Sequence, residues 1–253
     1  MNPTVQRMLE RHYPPEDDVY FQFEREVGRV LTSSSVLVDA GCGRTAATLR
    51  RFAPLVHQAI GIDEIDFTSS GEENLSLLKG DLHHVPLPDS FADVVIARSV
   101  VEHLDDPLTV YREFYRVLKP GGRFFLITPN RLHYAMIAAS LIPNRFHSRI
   151  VKFGEGRPEE DTFPTRYRSN TGRVIRALAT RTGFAVRNFT YLGECPHYLV
   201  FNPLAFRLGM AYDRLTRTVP GLAPLRRWIT AELQKPFTPA TGGIAHDAAA
   251  VPR

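Results

Sequence analysis

The sequence predicts an α/β fold: a doubly wound, mostly parallel, seven-stranded sheet with helices on both faces. Three observations carry this reading. Short apolar, β-branched runs alternate with amphipathic helical stretches, which implies right-handed βαβ units and a covered parallel sheet. A glycine loop, "DAGCGRTAA", joins the first such run to the helix after it. Seven runs of strand character occur along the 253 residues, a length that suits one α/β domain with additions.

Taken in order, Val19, Phe23, Val27 and Val30 recur at helical spacing and predict a helix over 17–31. Val36 to Ala40 is the first strand, and Thr45 to Phe52 the helix after the glycine loop. "HQAIGID" (57–63), "SLLKGD" (76–81) and "FADVVIARSV" (91–100) are the next three strands, with only a short polar connection over 64–74. Pro107 sits where a first helical turn tolerates proline; Val110, Phe114 and Val117 line one face of that helix, which stops at Lys119-Pro120-Gly121-Gly122. "RFFLITP" (123–129) is the fifth strand. Residues 131–170 break the pattern with a short apolar helix and a Gly/Pro/charge-rich stretch, too long for an ordinary connection, and read as a lid or substrate-binding insertion. A helix over 171–182 follows, then strands over 184–192 and 197–202, and helices over 203–217 and 222–234. The expected organisation is an N-terminal helical segment (1–34), a core (35–202), a C-terminal helical extension (203–236) and a disordered tail (237–253).

The formal charge of +4 permits acidic partners without demanding them, and the surplus lies in the second half. Only Cys42 and Cys195 are present, which excludes a disulfide framework and fits a reducing, cytoplasmic setting. The start has no signal-peptide pattern, and no run approaches the roughly 18 apolar residues of a membrane span.

In a doubly wound sheet, ligands sit beyond the carboxyl ends of the strands. That places Gly41 to Thr45, Asp63, Asp81, Arg98 to His103 and Pro129 to Tyr134 around one cleft. The Gly41-x-Gly43-x-x-Ala46 spacing fits a dinucleotide-binding turn, in which backbone N–H groups hold a pyrophosphate. Asp39 at the loop mouth opposes that, since a carboxylate repels a pyrophosphate and suits a cationic or amino-bearing ligand. Asp63, at the end of the second strand, suits the ribose hydroxyls of any adenosine cofactor.

"VLVDAGCGRTAATLRRF", "GIDEID", "GDLHHVPLPDSFADVVIARSVVEHLDDP" and "EFYRVLKPGGRFFLITPN", in this order and spacing, resemble the motifs of class I S-adenosylmethionine-dependent methyltransferases of the small-molecule type 11 group. The resemblance covers Val36 to Asn130 and implies a Rossmann-like core with S-adenosyl-L-methionine as cofactor. It implies Asp39, Gly41 and Gly43 around the methionine part, Asp63 on the ribose, Asp81 with Leu82 at the adenine, and Arg98 and Ser99 near the methionine carboxylate and sulfonium. The family usually has a third glycine at the place of Thr45, whose hydroxyl here narrows the loop or reaches the cofactor. His133, just after the fifth strand, and His103 on the cleft rim are the candidate general bases, His133 slightly ahead. Asn130, Tyr134, Arg166 and Arg168 are the candidate acceptor-binding residues, the arginine forks suiting phosphate or carboxylate groups.

The expected reaction is methyl transfer to a hydroxyl on a sugar, glycan, lipid or secondary metabolite. The rivals are an N- or C-methyltransferase, a non-catalytic cofactor-binding module and, more weakly, an NAD oxidoreductase. Cys42 reads as a packing residue, His83 and His84 as surface residues, and Glu159-Glu160-Asp161 as a solvated loop, with no metal expected. Leu204, Leu208, Ala211 and Leu215 form an apolar stripe, while Phe206 and Met210 fall among Arg207, Arg214 and Arg217. Plain packing against the sheet is the favoured reading of these C-terminal helices; a peripheral membrane surface, a lipid-linked substrate or a homodimer is the alternative. Nucleic acid is not expected, because the basic residues lack interleaved aromatic platforms.

Overall fold

The computed structural model describes residues 2–67, 73–141 and 164–237. Its sheet consists of β1 (Val36–Ala40), β2 (Gln58–Asp63), β3 (Leu75–Lys79), β4 (Ala92–Arg98), β5 (Leu118–Pro129), β6 (Ala185–Leu192) and β7 (Trp228–Gln234), in the order β3-β2-β1-β4-β5-β7-β6. β1 to β5 pair in parallel, and β7 runs antiparallel to both β5 and β6. The chain winds outward from β1 to β3, then returns to β4 on the other side of β1. The point where the order reverses lies between β1 and β4, and the cleft opens at their carboxyl ends.

Strand periodicity divides the core. Val38, Val95, Ala97, Phe124 and Leu126 face one side, under the helices α4 (Pro107–Val117) and α6 (Gly172–Thr182). Leu37, Val94, Ile96, Phe125 and Ile127 face the other, under α2 (Val19–Gly28) and α3 (Ala47–Phe52). Asp106 caps α4 through the Thr109 N–H, and Pro107 occupies its first turn, as expected. Its buried Tyr111 and Phe114 meet Phe124 edge-on, with centroids 5.3 and 4.8 Å apart. Each such side chain contributes about 1.5–3 kcal/mol through burial.

Three expectations need correction. Residues 222–234 are not a helix. Pro220–Leu225 form a 3₁₀ turn and 228–234 are β7, a strand inside the sheet, so the core does not end at 202. Ile229, Ala231 and Leu233 alternate into one core while Trp228 enters the other, a period-two pattern hidden by the helix-favouring Ala-Glu-Leu triplet. Residues 197–202, expected as a strand, are a 3₁₀ turn at His197–Leu199 leading to Asn202, whose side chain caps the next helix, α7 (Pro203–Thr218). The place beside β6 is taken by β7 instead.

The third correction concerns which face of α7 is packed. Phe206 is fully buried, with Gly209, Asp213 and Thr216 beside it, whereas Leu204, Leu208 and Leu215 are 67, 64 and 50 % exposed. A Cβ on Gly209 would stand 2.7 Å from Pro196, so close approach on this side requires glycine. Phe206 joins Val5 and Cys195 in a satellite core with α1 (Pro3–His12), a helix within the expected N-terminal segment. The insertion begins with α5 (Tyr134–Leu141). Three further arginines of the insertion that would suit phosphate or carboxylate groups, Arg145, Arg149 and Arg157, lie outside the described residues, as do the Glu159-Glu160-Asp161 run and nearly all of the expected C-terminal tail.

Candidate cofactor and acceptor cleft

A cleft of about 750 Å³ opens at the carboxyl ends of β1, β2 and β4, within the size range of small-ligand sites. Its floor is the loop after β1. Gly41 and Gly43 both take left-handed backbone, with φ of 76° and 71°. A Cβ on Gly41 would stand 2.3 Å from Val100 Cγ2, whereas one on Gly43 would meet nothing within 4 Å. The Gly41 N–H donates to the Ile62 carbonyl at 2.8 Å and the Gly43 N–H to Asp63 Oδ2 at 2.8 Å, so the ends of β1 and β2 fix the loop together. Ala46, also left-handed, opens α3, and Thr45 is an exposed part of the cleft lining.

Asp39 lies beneath this loop, 2 % exposed, and its Oδ1 has no hydrogen-bond partner among the described residues. Burial pushes its carboxyl up to about 7, with the Arg98 guanidinium pulling the other way. A buried carboxylate left unpaired is costly, and a donor-bearing cation in the cleft would relieve it. Opposite, Ser99 holds a left-handed backbone (φ 56°) that is uncommon outside glycine, and its Oγ is 3.0 Å from the Tyr20 hydroxyl. Arg98 lies over the Tyr20 ring at 4.9 Å and 3.9 Å from Glu24. At the far end, Leu82 is buried in the lining, and Asp81 Oδ1 accepts from the His83 N–H at 2.8 Å, which holds its carboxyl below the ordinary range.

The rim is formed by His103 and the last residues of the insertion. The Glu102 carbonyl accepts from the N–H groups of Arg166 and Tyr167, at 2.7 and 3.0 Å, and so holds Pro164 and Arg166 over the cleft. Glu102 itself is buried and accepts from Thr128 Oγ1 at 2.9 Å. His103 Nδ1 is 3.3 Å from the Pro164 carbonyl. Among the described residues, no group of three or more His, Cys, Asp or Glu side chains is placed to hold a metal ion.

Residues 38–126 match the family described as a methyltransferase domain. A probable S-adenosylmethionine-dependent methyltransferase of Mycolicibacterium smegmatis is 34% identical over 124 residues, 47% of this chain and 47% of that protein. A ubiquinone/menaquinone biosynthesis C-methyltransferase of Caulobacter vibrioides is 30% identical over 113 residues, 38% of this chain and 44% of that one. The chain thus spans about half the length of the curated relatives it matches. Residues 38–126 therefore form a methyltransferase domain similar to those of S-adenosylmethionine-dependent methyltransferases. The crystal structure of an S-adenosylmethionine-dependent methyltransferase from Mesorhizobium loti shares the fold of this chain, with a TM-score of 0.55 at 15% identity over 85% of this chain and 96% of that one.

The cleft fits S-adenosylmethionine on two grounds of its own: an orphaned buried carboxylate where a cationic amino group is needed, and open space over Gly43. All nine residues expected around the cofactor, Asp39, Gly41, Gly43, Thr45, Asp63, Asp81, Leu82, Arg98 and Ser99, line it. His103 and Arg166 line it too. The other expected residues do not. His133 is 4 % exposed, stacked 4.3 Å from the Tyr134 ring, and burial together with Arg227 lowers its pKa to about 4. Tyr134 accepts from the Tyr198 hydroxyl at 3.1 Å and packs on Tyr212 at 4.6 Å. Asn130 is fully buried and donates to the carbonyls of Pro224 and Arg226, both at 2.7 Å. These three residues secure the chain leaving β5 against the 3₁₀ turn at 220–225 and α7, away from the lining. Arg168 instead bonds the Asp105 carbonyl.

Among the lining residues that sequence reasoning missed, Tyr20 and His83 stand out. His83, expected on the solvent side, has Nδ1 2.7 Å from Asp81 Oδ1 and Nε2 3.0 Å from Asp105 Oδ1, the latter at ion-pair range but off hydrogen-bond geometry. Partial burial works against its protonation, but the two carboxylates outweigh it and raise the imidazole above its ordinary value. The available signal for Tyr20 was its i, i+4 pairing with Glu24, one step off the buried stripe of α2, so that both face Arg98.

Proposed function

We propose that this protein transfers the methyl group of S-adenosylmethionine to a hydroxyl of a small or lipid-linked acceptor. The observation that carries this reading is the pairing, in one cleft, of a buried unpartnered carboxylate under the glycine loop with an imidazole on the rim. Asp39 holds the cofactor's ammonium group, Arg98 and Ser99 flank its carboxylate end, Asp63 accepts from the ribose hydroxyls, and Asp81 with Leu82 borders the adenine. When bound, the sulfonium supplies an electrophilic methyl and departs as a neutral thioether. The residues then have to align the acceptor, exclude water and remove a proton. A proton on His103 Nδ1, facing the Pro164 carbonyl, leaves Nε2 as the basic nitrogen to take the hydroxyl proton as the new bond forms. Arg166 offers a fork to an anionic group on the acceptor. His133, buried and neutral at ordinary pH, has no part in this.

The reading has a direct test. His103→Ala is expected to lower the rate of methyl transfer by about 10²–10⁴-fold, the usual contribution of a general base, while leaving affinity for S-adenosylhomocysteine within about twofold. Activity retained in that variant, or a product that nuclear magnetic resonance shows methylated on carbon, as the name of the Caulobacter relative would suggest, overturns the hydroxyl assignment.

A further inference from the structure

An apolar stripe runs along the outward face of α7. Leu204, Leu208 and Leu215 are 67, 64 and 50 % exposed, and Phe201 before the helix and Val219 after it are 77 and 41 % exposed. At 3.6 residues per turn, Leu204, Leu208, Ala211, Leu215 and Val219 fall on one stripe roughly 22 Å long. Aligned exposed leucines are uncommon on a surface that meets only water. The helix does not present this face through looseness. Phe206, Gly209, Asp213 and Thr216 fix the opposite side, and the Tyr212 hydroxyl donates to the Leu225 carbonyl at 2.7 Å. Tyr212 also packs on Tyr134, so α7 is anchored just beyond the carboxyl end of β5, the end of the sheet at which the cleft opens.

Charge decides what covers the stripe. Exposed Arg207 and Arg214 run along one flank, two turns apart. The single acid of α7, Asp213, is on the buried side, with Arg217 3.3 Å away. The outward face therefore carries leucines and arginines and no carboxylate. A second copy of this chain would bring like charges together and supply no acid from α7. The headgroup region of an anionic bilayer offers both apolar depth and negative charge, and arginine stems extend over the apolar surface while their heads reach phosphate. No helix among the described residues is long and apolar enough to cross a membrane, so the helix would lie in the plane of the surface.

We propose that α7 is a docking surface for anionic membrane, with Leu204, Leu208 and Leu215 inserting and Arg207 and Arg214 contacting lipid phosphates. The docking is independent of which acceptor the cleft takes. Co-flotation of the intact protein with vesicles of phosphatidylcholine alone, and of phosphatidylcholine with phosphatidylglycerol, tests it. Binding is expected only to the anionic vesicles and should weaken with salt. The triple variant Leu204→Ser/Leu208→Ser/Leu215→Ser and the double variant Arg207→Glu/Arg214→Glu should each reduce binding at least tenfold. Because these side chains are exposed, melting temperature and S-adenosylhomocysteine affinity should stay as in the parent, which separates this surface from the cleft. Equal binding to both vesicle types, no binding to anionic vesicles at low salt, or a dimer in sedimentation that the triple variant dissolves would each overturn the proposal.

Discussion

Asp39→Asn weakens binding of S-adenosylhomocysteine by about 10- to 100-fold, the expected loss when one charge-assisted hydrogen bond of about 1.5–3 kcal/mol is removed. Calorimetric titration measures it. The same substitution is not expected to destabilise the empty protein, because the native carboxylate is buried with Oδ1 unpartnered. A melting temperature equal to or above that of the parent therefore accompanies the lost affinity. The pH dependence follows from sign. Burial raises the folded-state pKa to about 7, so ionised Asp39 costs stability that grows as pH rises from the ordinary carboxylate range and is fully present above about 7. A bound cation favours the ionised form, so ligand affinity should increase as pH rises through about 7. In Asp39→Asn this component of both profiles should be flat.

The second large effect separates two glycines that look alike. Gly41→Ala puts a left-handed backbone on a residue with a Cβ and drives that Cβ to 2.3 Å from Val100. Strain of about 1–2 kcal/mol and overpacking of about 1–3 kcal/mol add to a loss on the order of 2–5 kcal/mol in thermal or denaturant unfolding. Gly43→Ala carries the strain alone, since its Cβ meets nothing within 4 Å, and costs about 1–2 kcal/mol. Its methyl group instead occupies open space in the cleft lining, so its larger effect is on cofactor affinity. Similar losses of stability in the two variants, or an unchanged affinity in Gly43→Ala, would show that the loop does not divide its work in this way.

The parts of the molecule legible in the sequence are those that short-range chemistry dictates. Positive φ favours glycine at Gly41 and Gly43, Pro107 marks a helix start, and Val36 to Ala40 reads as a buried strand because each residue packs on one side of the sheet or the other. These features placed the cleft, and Asp39, Asp63 and Asp81 with it. What the sequence hid depends on contacts remote along the chain. β7 enters between β5 and β6 from more than 90 residues after β5, and its Ala231-Glu232-Leu233 has stronger helix than strand propensity. The apolar stripe of α7 was read as its packed face, yet Pro196 against Gly209 decides that Phe206 turns inward. His133 and Asn130 follow the fifth strand as cleft residues would, but the Tyr134, Tyr198 and Tyr212 rings and the carbonyls of Pro224 and Arg226 draw them away from the lining.

That the loop over Asp39 receives the amino-acid end of a sulfonium cofactor, and not a pyrophosphate, is tested most directly by calorimetric titration of the intact protein with S-adenosylhomocysteine and, separately, with NAD. Saturable binding of S-adenosylhomocysteine that is weakened in Asp39→Asn, with no binding of NAD, is the result expected. Saturable binding of NAD with no response to S-adenosylhomocysteine would contradict it.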